Sequence, residues 1–123
     1  MMSKQTFAPH PTVPLSNAVR AGDFVFTSGQ VPFGPDGKLV EGGIDVQTKT
    51  VLDNLAAALG LAGATLNDVV KTTIWLTDAA DFAEFNSVYA SYFETPPPAR
   101  SCVVSALMVP ARVEIEAVAY RPE

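Results

Sequence analysis

Histidine and cysteine are nearly missing from this chain: of 123 residues, only His10 and Cys102 are of those types. A lone cysteine excludes an intrachain disulfide and a thiolate metal cage. The one histidine sits in a Pro-flanked N-terminal segment that is expected to be mobile. A Ser-His-Asp triad or a multi-histidine metal site would have to rest on it alone, so both chemistries are all but closed, and no cofactor or metal is expected. Basic residues are scarce too. Eight Lys and Arg stand against 13 Asp and Glu, a net charge of −5, with no basic cluster. A nucleic acid or an anionic membrane surface needs a positive face to neutralise its phosphates, so neither is an expected partner. No apolar run is long enough to span a bilayer. The segment from Met1 to Phe7 lacks the apolar core of a signal peptide, which points to the cytoplasm.

What the chain has in quantity is apolar surface. Apolar residues make up 48% of the sequence, high for a small monomer without a membrane segment. Burial of some of that surface against further copies of the chain is an economical explanation. The length suits one domain, burying roughly two-thirds of its unfolded surface in a single core.

Periodicity sets out the elements. Residues 1–13 carry two prolines and little pattern, a loose arm. Leu15 to Val19 has the look of a short edge strand. Asp23 to Val31, aromatic and β-branched, reads as a strand in which Gly29 marks a bulge or a close approach of backbone to another group. Gly34-Pro35-Asp36-Gly37 is a turn. From Ile44 to Leu61 apolar residues recur at three- and four-residue steps, the stripe of a helix ended by Gly60 or Gly63. Thr65 to Asp68 resembles a capped single turn, and Val69 to Thr77 alternates as a strand. Asp81-Phe82-Ala83-Glu84 looks like a capping box opening a second helix, with a core face of Phe82, Phe85, Tyr89, Tyr92 and Phe93. Pro96 to Pro98 stop that helix, and strands 100–107 and 112–120 follow. The order β-β-α-β-α-β-β suits an α+β fold, a small sheet with two helices on one face. The other face would be left for self-association.

Two late strands carry the ionic chemistry. Arg100 opens an otherwise apolar run, and its planar fork of donors suits a carboxylate held by two parallel bonds. Glu114 and Glu116 share one face of the next strand, and either could serve as a general base for water. Arg100 and Cys102 share a face of theirs. All four converge only if the two strands pair in an even-sum register, which parity alone leaves open. The reading of Arg100 and a glutamate as one catalytic site requires that they face a shared crevice; on opposite sides of the sheet they could not serve one reaction. Each residue has a plainer reading: a structural ion pair with a glutamate or an exposed strand-end charge for Arg100, a solvated strand face for the glutamates, a packing or backbone role for Cys102. Ser28, beside Gly29, could donate its hydroxyl to a ligand or be an ordinary strand serine. Lys71 and Asp78 read as surface charges, Trp75 and Tyr89 as core or interface.

Five segments taken together resemble the Rid family of imine and enamine deaminases, also called the YjgF or L-PSP family. They are Phe26-Thr27-Ser28-Gly29-Gln30-Val31-Pro32, Val69-Val70-Lys71-Thr72-Thr73, Phe85-Asn86-Ser87-Val88-Tyr89, Pro98-Ala99-Arg100-Ser101-Cys102-Val103 and Val113-Glu114-Ile115-Glu116-Ala117. The resemblance runs in order from about Pro14 to Tyr120. It implies a chorismate-mutase-like α+β fold, a mixed sheet with two helices on one face, assembled as a homotrimer with three clefts between subunits. It implies that Arg100 grips a substrate carboxylate, and that Glu114, with the main chain around Cys102, orients the attacking water. Ser28 would line the same pocket, and no cofactor is used. Family members with deaminase activity commonly carry a tyrosine where this chain has Leu15. Leucine supplies neither the phenolic hydroxyl nor the ring, a departure that bears on substrate and rate.

The expected activity is hydrolysis of a small 2-imino acid, or its 2-aminoacrylate tautomer, to a 2-oxo acid and ammonia. The competing functions are a binding protein for small 2-oxo or other carboxylic acids, and a pathway deaminase of a bulkier imino acid with Leu15 enlarging or drying the pocket. An endoribonuclease, an older label for the family, is disfavoured by the acidic balance and the single histidine.

Overall fold

A computed structural model describes residues 3–123. Six strands form one mixed sheet in the order β1-β2-β3-β6-β4-β5, with β4 and β5 parallel and the other neighbours antiparallel. In chain order these are β1 (Gln5–Pro9), β2 (Ser16–Ala21), β3 (Phe24–Thr27), helix α1 (Ile44–Leu61), β4 (Val69–Leu76), helix α2 (Phe82–Tyr92), β5 (Ala99–Val104) and β6 (Val113–Tyr120). Both helices pack on the same face, and one apolar cluster joins them to the sheet.

The expected stripe of α1 is what the core receives: Ile44, Thr48, Val51, Leu55, Ala58 and Leu59 are buried. The helix closes through the Ala62 N–H, which donates to the Leu59 carbonyl, and the Gly63 N–H, which donates to that of Gly60; Gly63 has φ +84°. That left-handed turn is one that glycine enters without steric cost. From α2 the core takes Phe85 and Tyr89, with Phe93 just past its end, and the Tyr89 hydroxyl shares a buried 2.8 Å hydrogen bond with Thr72 of β4.

Several local expectations need correction. The arm at 1–13 is not loose where it is described: Gln5–Pro9 pairs with β2 as an edge strand, and β2 is therefore interior. Its first residues, Met1 and Met2, lie outside the described residues. His10 is not loose either, because its Nδ1 accepts hydrogen bonds from the Thr12 and Val13 N–H groups at 3.1 and 2.9 Å. At the start of α2 the capping box does not form. Asp81 makes no side-chain cap, and the cap falls on Asp78, which accepts from the Ala80 N–H to open a short turn at Ala79–Asp81. Finally, Phe82 is 44% exposed and does not belong to the core. A bulge between Val69 and Lys71 likewise puts Val70 outside while Thr72, Ile74 and Leu76 point in.

One buried cation lacks a sequence signal. Arg20 is 5% exposed, and its guanidinium donates to the carbonyls of Ala62, Gly22 and Arg121 at 2.9, 3.2 and 2.7 Å. It thus ties the end of α1 to the end of β6, where a cation also complements the helix dipole. Removing the donor would strand buried carbonyls. Arg20→Met is expected to lower unfolding stability by about 3 kcal/mol, read as a lower urea midpoint at unchanged slope.

Candidate functional site

The residues singled out by sequence fall into two groups, and the sheet separates them. Strand β4 lies between β5 and β6, pairing Thr72 with Arg100 on one side and with Ala117 on the other. Paired residues share a face, so Arg100 and Cys102 point with buried Thr72 and Ile74 toward the helices. Glu114 and Glu116 pair with Trp75 and Thr73, and they point to the opposite, open face. The expected convergence of Arg100, Cys102, Glu114 and Glu116 within one chain does not occur. Strands β5 and β6 never touch in the ladder, and the parity of β4 sets the two faces apart.

The first half-site surrounds Arg100. Its Nη2 donates to Asn86 Oδ1 of α2 at 2.7 Å, and its carbon Cζ lies 5.1 Å from the Tyr89 ring centroid, 5.6 Å from Phe82 and 5.9 Å from Phe85. Rings at this range attract a cation through their quadrupoles and exclude water without neutralising it. Among the described residues no carboxylate pairs with Arg100; the two ion pairs found are Arg112–Asp81 and Arg121–Asp68. The ion pair with a glutamate, one plain structural reading of Arg100, is not found among the described residues. A cavity of about 370 Å³ opens beside it, lined by Asn86, Tyr89, Phe93 and Pro98 among others. Cys102 is partly buried against the core, and burial pushes its thiol up, offset in part by Arg100. A thiol held protonated is a poor nucleophile.

The second half-site surrounds Glu114. Beyond β3 the chain stays against β6, because Gln30 and Ile115 exchange both main-chain hydrogen bonds at 2.8 and 3.1 Å. This presses Gly29 against the Glu114 side chain: a Cβ at Gly29 would overlap Oε2 and lie 2.9 Å from Cδ. The close approach signalled by Gly29 is thus to the carboxylate itself. Burial first, and the neighbouring Glu116 second, hold the Glu114 carboxyl above its ordinary range. Ser28 Oγ donates to the Ser16 carbonyl at 2.7 Å, so its proton is engaged by the main chain rather than free for a ligand. Leu15, 41% exposed, precedes Ser16 in this same corner, fixed by main-chain bonds to His10 and Val13.

Lys71 is held less loosely than a free surface charge, donating to Ser101 Oγ at 2.9 Å. Sequence reasoning missed Asn86 and Phe82 as site residues. Asn86 offered no signal beyond the segment it sits in. The amphipathic pattern of α2 assigned Phe82 to the core, where the neighbouring Arg100 claims it.

Because Glu114 is held above its ordinary range, the folded chain binds its proton more tightly than the unfolded chain. That contribution is complete below the unfolded carboxyl pKa and is lost as pH rises through the raised folded value. Glu114→Gln is therefore expected to show a urea midpoint at pH 7 no lower than the parent. A clear drop in that midpoint would contradict the burial described for this carboxyl.

Comparison with known proteins agrees with this architecture. Residues 5–121 match the family described as Endoribonuclease L-PSP. A RutC family protein of Pyrococcus abyssi is 48% identical over 116 residues, covering 93% of this chain and 91% of that protein. Reactive Intermediate Deaminase A of Arabidopsis thaliana, a chloroplastic protein, is 45% identical over 114 residues, covering 91% of this chain and 61% of its own length. The crystal structure of RidA from the Antarctic bacterium Psychrobacter superposes with a TM-score of 0.87 at 41% identity, covering 94% of this chain and 98% of that one. The sequence motifs, the six-stranded sheet and these likenesses lead to one conclusion: the chain belongs to the Rid (YjgF/L-PSP) family.

Proposed function

We propose that this protein hydrolyses small 2-imino acids, or their 2-aminoacrylate tautomers, to 2-oxo acids and ammonia, in clefts between the subunits of a homotrimer. The observation that carries the reading is the unspent guanidinium of Arg100, held among three rings with a neutral amide as its hydrogen-bonding partner. A small carboxylate supplies the charge that this site lacks. The name of the Arabidopsis relative, a reactive intermediate deaminase, supports the reaction class.

Separation of the two half-sites is reconciled by assembly. Arg100 lies on an edge strand that is paired on one side only. The open face is partly apolar, with Phe24, Phe26, Val103 and Tyr120 all more than 40% exposed. Such an edge and face favour association with further copies. A head-to-tail ring would bring Arg100 and Cys102 of one subunit against Glu114, Gly29, Ser28 and Leu15 of the next.

In that cleft Arg100 holds the substrate carboxylate by two parallel bonds, which fixes the imine carbon beside the water site. Glu114 takes a proton as the water oxygen bonds to that carbon, and the C=N pair moves to nitrogen. Glu114 returns that proton to the nitrogen to give the carbinolamine, which then collapses: the hydroxyl proton passes through Glu114 to the nitrogen, the oxygen pair forms C=O, the C–N bond breaks and ammonia leaves. A base whose pKa is lifted toward neutrality is the stronger one, and such catalysis contributes roughly 10²–10⁴ in rate. The main chain near Cys102 and the Ser28 oxygen complete the polar lining. Leu15 makes the cleft drier than a tyrosine would.

One observation favours a second reading. Within a single chain the carboxylate-gripping half-site is complete without Glu114, as a binding protein for 2-oxo acids requires. Mixing separates the two. Arg100→Ala and Glu114→Gln should each abolish hydrolysis of enzymatically generated 2-iminopropanoate. Denatured and refolded together in equal amounts, they should regain about a quarter of the parent activity, the share of clefts that receive both intact residues. No recovery, with each variant still folded and trimeric, would remove the shared cleft. Binding of 2-oxobutanoate without any turnover by the parent would establish the binding protein instead.

A further inference from the structure

The reading above leaves unexplained how a partly buried arginine stays both fixed and available. Guanidinium groups in this setting are ordinarily paired with a carboxylate, because a desolvated cation without an anion is costly. Here the group that meets Arg100 is an amide. Asn86 Oδ1 accepts from Nη2 at 2.7 Å from the second turn of α2, one turn before Tyr89, whose ring also flanks the guanidinium. An amide oxygen supplies direction without charge.

We infer that Asn86 is the positioning residue of the carboxylate site: its neutral side chain orients Arg100 while leaving its positive charge for the ligand. The inference rests on Arg100 being the carboxylate anchor. Its physical content is a contrast between geometry and charge. Aspartate has the shape of asparagine and would hold the same fork, but it would satisfy the cation internally and compete with any incoming carboxylate. Alanine would release the fork without competing for it. The rings of Phe82, Phe85 and Tyr89 would then hold the cation loosely, and the cost to the ligand would be that of orientation alone. Affinity for a carboxylate should accordingly fall in the order parent, Asn86→Ala, Asn86→Asp. A hydrogen bond serving only stability predicts the reverse for the variants. Asn86→Ala would then be the more damaging, and Asn86→Asp, which keeps the bond and adds an ion pair, the milder.

The test is calorimetric titration of the assembled protein with 2-oxobutanoate, with thermal midpoints and steady-state hydrolysis of 2-iminopropanoate measured on the same preparations. Asn86→Asp is expected to weaken binding about ten- to a hundred-fold, to raise KM in parallel and to leave kcat within about threefold. Its thermal midpoint should equal or exceed the parent's. Asn86→Ala should weaken binding by a smaller factor, and Asn86→Gln should recover part of that loss. Parent-like affinity in Asn86→Asp would overturn the inference, as would a loss in kcat at unchanged KM. If the aspartate variant does not fold, parent-like affinity in Asn86→Ala overturns it equally. Arg100→Ala is the control that separates the two failures. If it binds 2-oxobutanoate as the parent does, the carboxylate anchor itself is wrong. If it loses binding while the Asn86 variants do not, only the role of Asn86 falls.

Discussion

Strand β4 decides the layout of this protein. Val69–Leu76 is bonded in parallel to β5 and antiparallel to β6, so its alternation sets which face every neighbouring side chain joins. The residues it sends inward, Thr72, Ile74 and Leu76, meet the helices and are buried. Arg100 is aligned with Thr72 and inherits that side. Glu114 is aligned with Trp75 and inherits the other. A slip of one residue in either ladder would exchange the faces, and burial of the apolar set on the helix side forbids it.

The two charged groups are prepared in opposite ways by that placement. Arg100 lies under α2, where rings remove water and one amide fixes direction. Glu114 lies on the uncovered face, crowded by the Gly29 backbone and by Glu116, and its carboxyl is held above the ordinary range. A cation without an anion and an anion without a cation, each costly where it stands, are the pattern expected of groups kept for a ligand. Folding alone would favour joining them. The sheet between them prevents it within one chain.

Stability is provided elsewhere. The stripe of α1 and the aromatic face of α2 fill one core, and Arg20 fastens the end of α1 to the end of β6 through three carbonyls. Of these residues, Phe85, Tyr89 and Phe93 also border the Arg100 half-site, while the α1 stripe and Arg20 do not. The rest of the site is carried on the margins of that core: an edge strand, a glycine loop and the corner at Leu15.

Local rules were sufficient for much of the fold. The period of α1 gave its bounds, the turn at Thr65–Asp68 was visible in its capping residues, and from Thr72 onward the alternation of β4 separated buried side chains from partly exposed ones. The ionic residues were also legible, because Arg100 and Glu114 are out of place in apolar strands. Sequence failed where a pairing partner supplied the order, as at β1, whose hydrogen bonds to β2 outweigh an indistinct pattern. It failed again at Phe82, whose place depends on a cation 18 residues away. Above all, it could not tell on which side of the sheet Arg100 and Glu114 lie. Parity fixes a side chain only relative to its own strand; the relation between strands comes from the register, and the register is a property of the folded chain.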